Sequence, residues 1–290
     1  MALATMAGAA IVMTAAHRRV LLIAYHFPPM GGSGVQRPLK FARYLPCFGW
    51  TPAVLCGGHG HYPHWDPTLC DELPPEVQVE RCLGFEPAAV AARCRELVTT
   101  KIAGRDGVPL DWERRLYWRL NHVPQAWLPD TEWLWTLAAR RAARRLVRRL
   151  KPEVVITTGP PHATHAVGAS LKNRLKLPWI ADLRDPITTN FEYAPGARWR
   201  DAFWRRMEST IAAHADAVVV TCDECGEDFM RRHPEMTPDR MITITNGFDP
   251  GDFAPANSAA AATADALTAG TFVLRHVGAF YGRQTLEHIL

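Results

Sequence analysis

The chain has 290 residues, 48% of them hydrophobic, with 33 basic and 29 acidic side chains and a formal net charge of +4. That length buries a full core in one large or two ordinary domains, and the charge excess is too small for a nucleic-acid binder. The size excludes a small disulfide scaffold, so seven cysteines, an odd count without regular spacing (Cys47, Cys56, Cys70, Cys82, Cys94, Cys222, Cys225), fit a reducing, cytoplasmic compartment.

The opening "MALATMAGAAIVMTAA" is apolar but lacks the charged leader of a signal peptide. Residues 1–18 read as an N-terminal extension, with Met13 as an alternative start. No stretch reaches the roughly 18 uncharged apolar residues of a membrane span.

From there strands and helices alternate. Arg19–Tyr25 reads as a buried strand and Val35–Phe48 as a helix; Pro52–Cys56 and Val77–Cys82 read as the next two strands. Residues 99–129, with Trp112, Tyr117, Trp118 and Trp127 at no clean period, read as an irregular insertion. A long helix follows over Asp130–Leu150, then a strand at Glu153–Thr158, a helix at His162–Leu175 and a strand at Trp179–Leu183. A helix at Trp199–His214 and short β-branched runs at Ala217–Thr221 and Met241–Thr245 complete the series. The alternation predicts an α/β fold with a doubly wound parallel sheet. After Phe253 the Ala-rich stretch 254–270 reads as a linker, and Thr271–Val277 as the first strand of another unit that stops at Leu290.

In such a sheet ligands bind at the carboxyl ends of the strands, near the switch point. The segments there are "YHFPPMGGSG", "TGPPHATH", "RDP" and "NGFDP". Gly31, Gly32, Ser33 and Gly34 lead into a helix whose free N–H groups and positive dipole end suit a phosphate or carboxylate; a plain strand-to-helix turn is the alternative. A nicotinamide dinucleotide is disfavoured. The pattern is G-G-x-G rather than G-x-G-x-x-G, and the second strand ends in Cys56-Gly57-Gly58 with no acidic residue.

His162 and His165, three apart at a helix start, suit either hydrogen bonds to substrate or simple capping, and lack a third metal ligand at suitable spacing. Asp182, Arg184 and Asp185 lie on and just past a buried strand. Charges there need a partner, so either an internal Arg–Asp pair or contact with a sugar or phosphate is expected. Cys222 and Cys225 have redox spacing at a strand-to-helix junction but read first as small residues near a helix start. Arg140, Arg141, Arg144, Arg145, Arg148 and Arg149 put a basic face on the 130–150 helix, with Leu137, Leu146, Val147 and Leu150 expected inward. A solvated face and a peripheral membrane contact are both open.

The stretches "YHFPPMGGSGVQRPLKFARYLPCFGW", "TTGPPHATHAVG", "LPWIADLRDP", "ITNGFDPGDF" and "VGAFYGRQ" resemble the N-terminal half of a family 4 retaining glycosyltransferase with the GT-B fold. The resemblance covers Arg19 to the end, with 57–129 least diagnostic. It implies a Rossmann-like acceptor-side domain over 19–253 and the beginning of a truncated donor-side domain over 271–290. It implies transfer of a sugar from a nucleotide-sugar to an acceptor hydroxyl, with retention, without metal or other cofactor, in cell-surface polysaccharide or glycolipid synthesis.

On this resemblance Gly31, Gly32 and Gly34 approach the donor phosphates, together with Gly278 and Arg283. His162, Asp182, Arg184, Asp185 and Asn246 line the acceptor side. Arg184 stands where many members carry a histidine, so Arg184 and Asp185 are the catalytic candidates. Ala279 stands where a basic residue is usual, and the glutamate pair of the donor domain has no counterpart before Leu290. The alternative is a non-catalytic sugar- or lipid-binding module completed by a partner chain.

Overall fold

The computed structural model describes residues 18–58, 64–84, 128–130, 132–190 and 197–252. The N-terminal extension up to residue 17, the 99–127 part of the insertion, the linker and the strand expected after it lie outside the described residues, as do Gly278 and Arg283.

Seven parallel strands form one sheet in the order β3-β2-β1-β4-β5-β6-β7. They are β1 (Arg18–Ala24), β2 (Trp50–Gly57), β3 (Gln78–Cys82), β4 (Val154–Gly159), β5 (Trp179–Leu183), β6 (Ala217–Val220) and β7 (Met241–Thr243). The order reverses between β1 and β4, which is the signature of a doubly wound, Rossmann-like sheet. The central strand Val20–Ala24 is a continuous apolar run because both faces are covered.

Among the described residues five helices flank the sheet: α1 (Ser33–Tyr44), α2 (Trp135–Leu150), α3 (Ala163–Leu175), α4 (Arg198–His214) and α5 (Asp223–Arg232). Alternation along β1 divides them. Leu22 and Ala24 pack with Ala42 of α1, whereas Leu21 and Ile23 join the larger core that contains α2 to α5.

Two boundaries differ from expectation for local reasons. The 35–48 helix is α1 followed by a 3-10 turn at Leu45–Phe48, because Pro46 has no N–H to continue the α-ladder. The 130–150 helix begins only at Trp135, since Asp130 turns away to accept a hydrogen bond from the N–H of Ala163. Leu137, expected inward, is 53% exposed; Trp135, Ala139, Ala142, Ala143 and Leu146 make the inner face instead. Alanines there let the helix approach closely enough to bury Trp135 completely, with its indole N–H on the Cys82 carbonyl.

A cluster of charges fastens the last described segment to α1. The Lys40 ammonium donates to Glu72 (2.6 Å), Asp249 (2.9 Å) and Asp252 (2.8 Å), and the Tyr44 hydroxyl donates to Asp249 (2.6 Å). These hydrogen bonds, Tyr44's first and Lys40's second, hold the Asp249 carboxyl well below the usual carboxylate range. An unfolded aspartate titrates near 3.9, so the stabilisation from Asp249 is complete above about pH 4 and is lost as pH falls through the folded value. Asp249→Asn is therefore expected to lower the urea midpoint near neutral pH and to flatten its decline on acidification. Parallel acid limbs for variant and parent would refute this.

Candidate functional site at the carboxyl edge of the sheet

The loops after β1, β4, β5, β6 and β7 share one edge. The first is shaped by backbone contacts: the Gly31 N–H donates to the His64 carbonyl (2.8 Å) and that of Asp66 to the Pro29 carbonyl (2.9 Å). Gly32 is the N-cap of α1 with φ +97°, a conformation in which a Cβ is strained. No side chain caps α1 there, and its first turn holds no acidic residue. Its positive end is thus left for an external anion.

The start of α3, beside the β4 loop, is already served. Asp130 accepts from the Ala163 N–H at 3.1 Å, and burial, with the charge of Glu132 second, pushes its pKa up to about 8. Neither helix N-terminus flanking the switch point is capped by its own N-cap residue, but at α3 Asp130 takes the Ala163 N–H.

Arg184 spans the crevice between them. Its guanidinium donates to the carbonyls of Gly159 (Nε, 3.1 Å), Pro160 (Nη2) and Gly34 (Nη1). The Gly34 carbonyl would ordinarily accept from the N–H four residues on. That residue is Pro38, which has none. Proline inside α1 thereby frees the acceptor that Arg184 uses. The Arg184 guanidinium thus bonds backbone carbonyls, and the internal Arg–Asp pair that was one of the two expectations for this strand end forms at Asp182 with another arginine.

That arginine is Arg37, which the sequence had not singled out. Its Nε lies 3.1 Å from both oxygens of Asp182 and its Nη2 lies 2.9 Å from Oδ1. Thr158 donates to Asp182 Oδ2 at 2.7 Å. The two side chains are 9% and 1% exposed. Arg37 Nη1 also reaches the Thr245 carbonyl (3.2 Å) and Asn246 Oδ1 (3.4 Å). One side chain thus joins α1 to the end of β5 and to the loop after β7, while Thr158 ties Asp182 to the end of β4. The sequence signal was a basic residue one turn into the helix behind the glycines, paired in register with a buried aspartate.

His162 is the N-cap of α3, buried, 6.0 Å from the parallel ring of His165 and edge-on to Trp204 at 5.9 Å. Burial, and then the charge of Arg184, lowers its pKa to about 3, so its imidazole is neutral at neutral pH. His165 belongs to the core. Its Nδ1 lies 2.9 Å from Thr157 Oγ1, which accepts from the Trp179 indole at 2.8 Å. Burial holds it, too, in the neutral form. Asp185 is half-buried beside Arg184, with its pKa raised by burial; Asn246 is exposed. Among the described residues the three-ligand acidic cluster, Glu72, Asp249 and Asp252, already surrounds the Lys40 ammonium.

Residues 40–247 match the glycosyl transferase 4-like domain family, and the chain belongs to that family. No curated protein sequence is significantly similar to it. Among solved structures it is similar to sucrose-phosphate synthase from Thermosynechococcus elongatus, with TM-score 0.53 and 15% identity over 86% of this chain and 52% of that one. It is also similar to UGT2 of Phytolacca americana (TM-score 0.45, 12% identity, 80% and 52% covered). A third is the glycosyltransferase SsfS6 of Streptomyces sp. SF2575 (TM-score 0.38, 18% identity, 71% and 51% covered). The chain spans about half the length of each. The likeness to the synthase is one of fold: the Rossmann-like sheet is that of the N-terminal half of a GT-B glycosyltransferase.

Removing Arg37 leaves Asp182 buried without its counter-charge. Breaking such a pair costs about 3–5 kcal/mol, so Arg37→Ala is expected to lose that much stability in urea denaturation. Arg37→Lys is expected to recover only part, because an ammonium cannot reproduce the two-pronged contact. A loss below about 1 kcal/mol for Arg37→Ala, the range of surface pairs, would overturn the assignment.

Proposed function

We propose that this protein is a glycosyltransferase of the family 4 retaining type, passing a sugar from a nucleotide-sugar to an acceptor hydroxyl without a metal. Residues 19–253 form its acceptor-side domain, 254–270 a linker, and the residues from 271 onward belong to the donor side. The observation that carries this is the uncapped N-terminus of α1 behind Gly32, set beside the Arg184 guanidinium in the switch-point crevice of a chain from the glycosyl transferase 4-like family. A helix terminus and a fixed cation offer stabilisation for a diphosphate as negative charge develops on it during departure of the sugar.

In this reading Gly31, Gly32 and Gly34 leave room for donor phosphates, with Gly278 and Arg283 contributing from the donor side. Arg184 and Asp185 are the catalytic candidates, and His162 and Asn246 border the acceptor. Asp182 acts through Arg37 as a positioning residue, since its oxygens are occupied by Arg37 and Thr158.

Isothermal calorimetry of the whole chain against UDP, GDP and UDP-sugars tests the phosphate site. Binding in the micromolar range is expected, weakened about tenfold or more (~1.4 kcal/mol per tenfold) by Arg184→Ala and by Gly32→Val. A folded chain that binds none of them, or variants that bind as well as the parent, would remove the first loop from the donor site.

The acceptor proposed is a lipid-linked or cell-surface polysaccharide precursor, met at the inner face of the membrane. Among the described residues no helix is long and apolar enough to cross a bilayer. The outer face of α2 nevertheless exposes Leu137, Arg141, Arg145, Arg148 and Arg149 together, an arrangement suited to anionic headgroups. The chain is expected to sediment with vesicles rich in phosphatidylglycerol and not with phosphatidylcholine alone, and the triple change of Arg141, Arg145 and Arg148 to Glu to release it. Equal sedimentation of parent and triple variant would exclude this face.

A further inference from the structure

Outside the Arg37 and Arg184 contacts, the same sheet edge holds a pair of thiols. Cys222 is the N-cap of α5, in extended conformation, and Cys225 lies in the first turn of that helix. Their sulfurs are 3.1 Å apart, and both side chains are half-buried, open to a small reagent. A disulfide needs the sulfurs about 1 Å closer, a movement within reach of side-chain rotation. Thr221, the residue before Cys222, donates its hydroxyl to the Arg184 carbonyl at 3.1 Å. The thiol pair is therefore one residue from a bond that holds the proposed catalytic loop.

We infer that Cys222 and Cys225 are a thiol–disulfide modification site, closing to an intramolecular disulfide on meeting an oxidised low-molecular-weight disulfide and reopening with reduced thiols. The Cys222 thiolate, at a helix N-terminus, attacks one sulfur of the small disulfide. The S–S bond of the reagent breaks, one small thiol leaves, and a mixed disulfide forms on Cys222. Cys225 then gives its proton to solvent and attacks Cys222 Sγ; that mixed bond breaks, and the second small thiol leaves carrying a proton. Two protein thiols are oxidised, and one small disulfide is reduced to two thiols. Cys225 suits the second, resolving role: burial, followed by the Cys222 hydrogen bond and nearby acids, pushes its thiol up to about 11, so it waits protonated until the mixed disulfide is beside it.

The whole chain is incubated with oxidised glutathione and mapped by peptide mass spectrometry, with the exposed Cys47 as an internal control for reagent access. The expected peptide spanning 222–225 loses two hydrogens, carries no glutathione, and is restored by dithiothreitol. Cys225→Ser is expected to trap glutathione on Cys222, and Cys222→Ser to slow modification of Cys225 at least tenfold. Free thiols at both positions while Cys47 is modified would overturn the inference. So would glutathione retained on Cys222 of the parent chain without closure.

Discussion

The buried ion pair between Arg37 and Asp182 is the contact on which the carboxyl edge of this sheet depends. Two charges removed from water this completely are costly to desolvate, and only good geometry with further hydrogen bonds offsets that. Both conditions hold here: three nitrogen–oxygen contacts of 2.9–3.1 Å, with Thr158 on the remaining lone pairs. Because Arg37 stands on α1 and Asp182 at the end of β5, the pair sets how the glycine loop sits against the opposite half of the sheet. The same guanidinium reaches the loop at Thr245 and Asn246, so three separate segments of the chain meet at one charge.

Around that fixed point the crevice at the switch point is organised by what the backbone lacks. Pro38 has no N–H, so the Gly34 carbonyl is left open inside α1, and Arg184 takes it. On the other side, Arg184 holds the carbonyls of Gly159 and Pro160. The helix terminus of α3 is covered by Asp130, whereas that of α1 has no side-chain cap. The α1 terminus and the Arg184 guanidinium thus stand side by side at the switch point, in a chain that belongs to the glycosyl transferase 4-like domain family. In the proposed reaction Arg184, bonded to three backbone carbonyls, is the charged candidate. A guanidinium is always charged, so its contribution would be electrostatic rather than proton transfer.

The neutral, buried histidines illustrate a different constraint. His165 lies under Gly159 and bonds Thr157, which in turn accepts from Trp179; it packs as a core residue. Gly168 one turn later is required for the same reason of space, since a Cβ there would run into the Trp179 indole. The α3 side of the crevice is therefore a rigid wall, against which the β4 loop is held.

By itself the sequence determined the parallel α/β sheet, because runs such as Val20–Ala24 and Val154–Ile156 are apolar through their whole length and alternate with helical stretches. It also marked the glycine loop and the charged end of β5, since glycines before a helix and charges in an apolar strand each have few physical reasons to occur. It left the inner face of α2 misjudged at Leu137, because hydrophobicity alone favours leucine over alanine while close packing favours alanine. Which partner Asp182 takes, that Pro38 opens a carbonyl for Arg184, and that Cys222 meets Cys225 sulfur to sulfur were decided only by the tertiary structure. The first two join residues about 145 and 150 positions apart along the chain, and no local pattern records a distance that folding alone closes. The third pair is close in sequence, but whether its sulfurs face one another depends on where the helix starts.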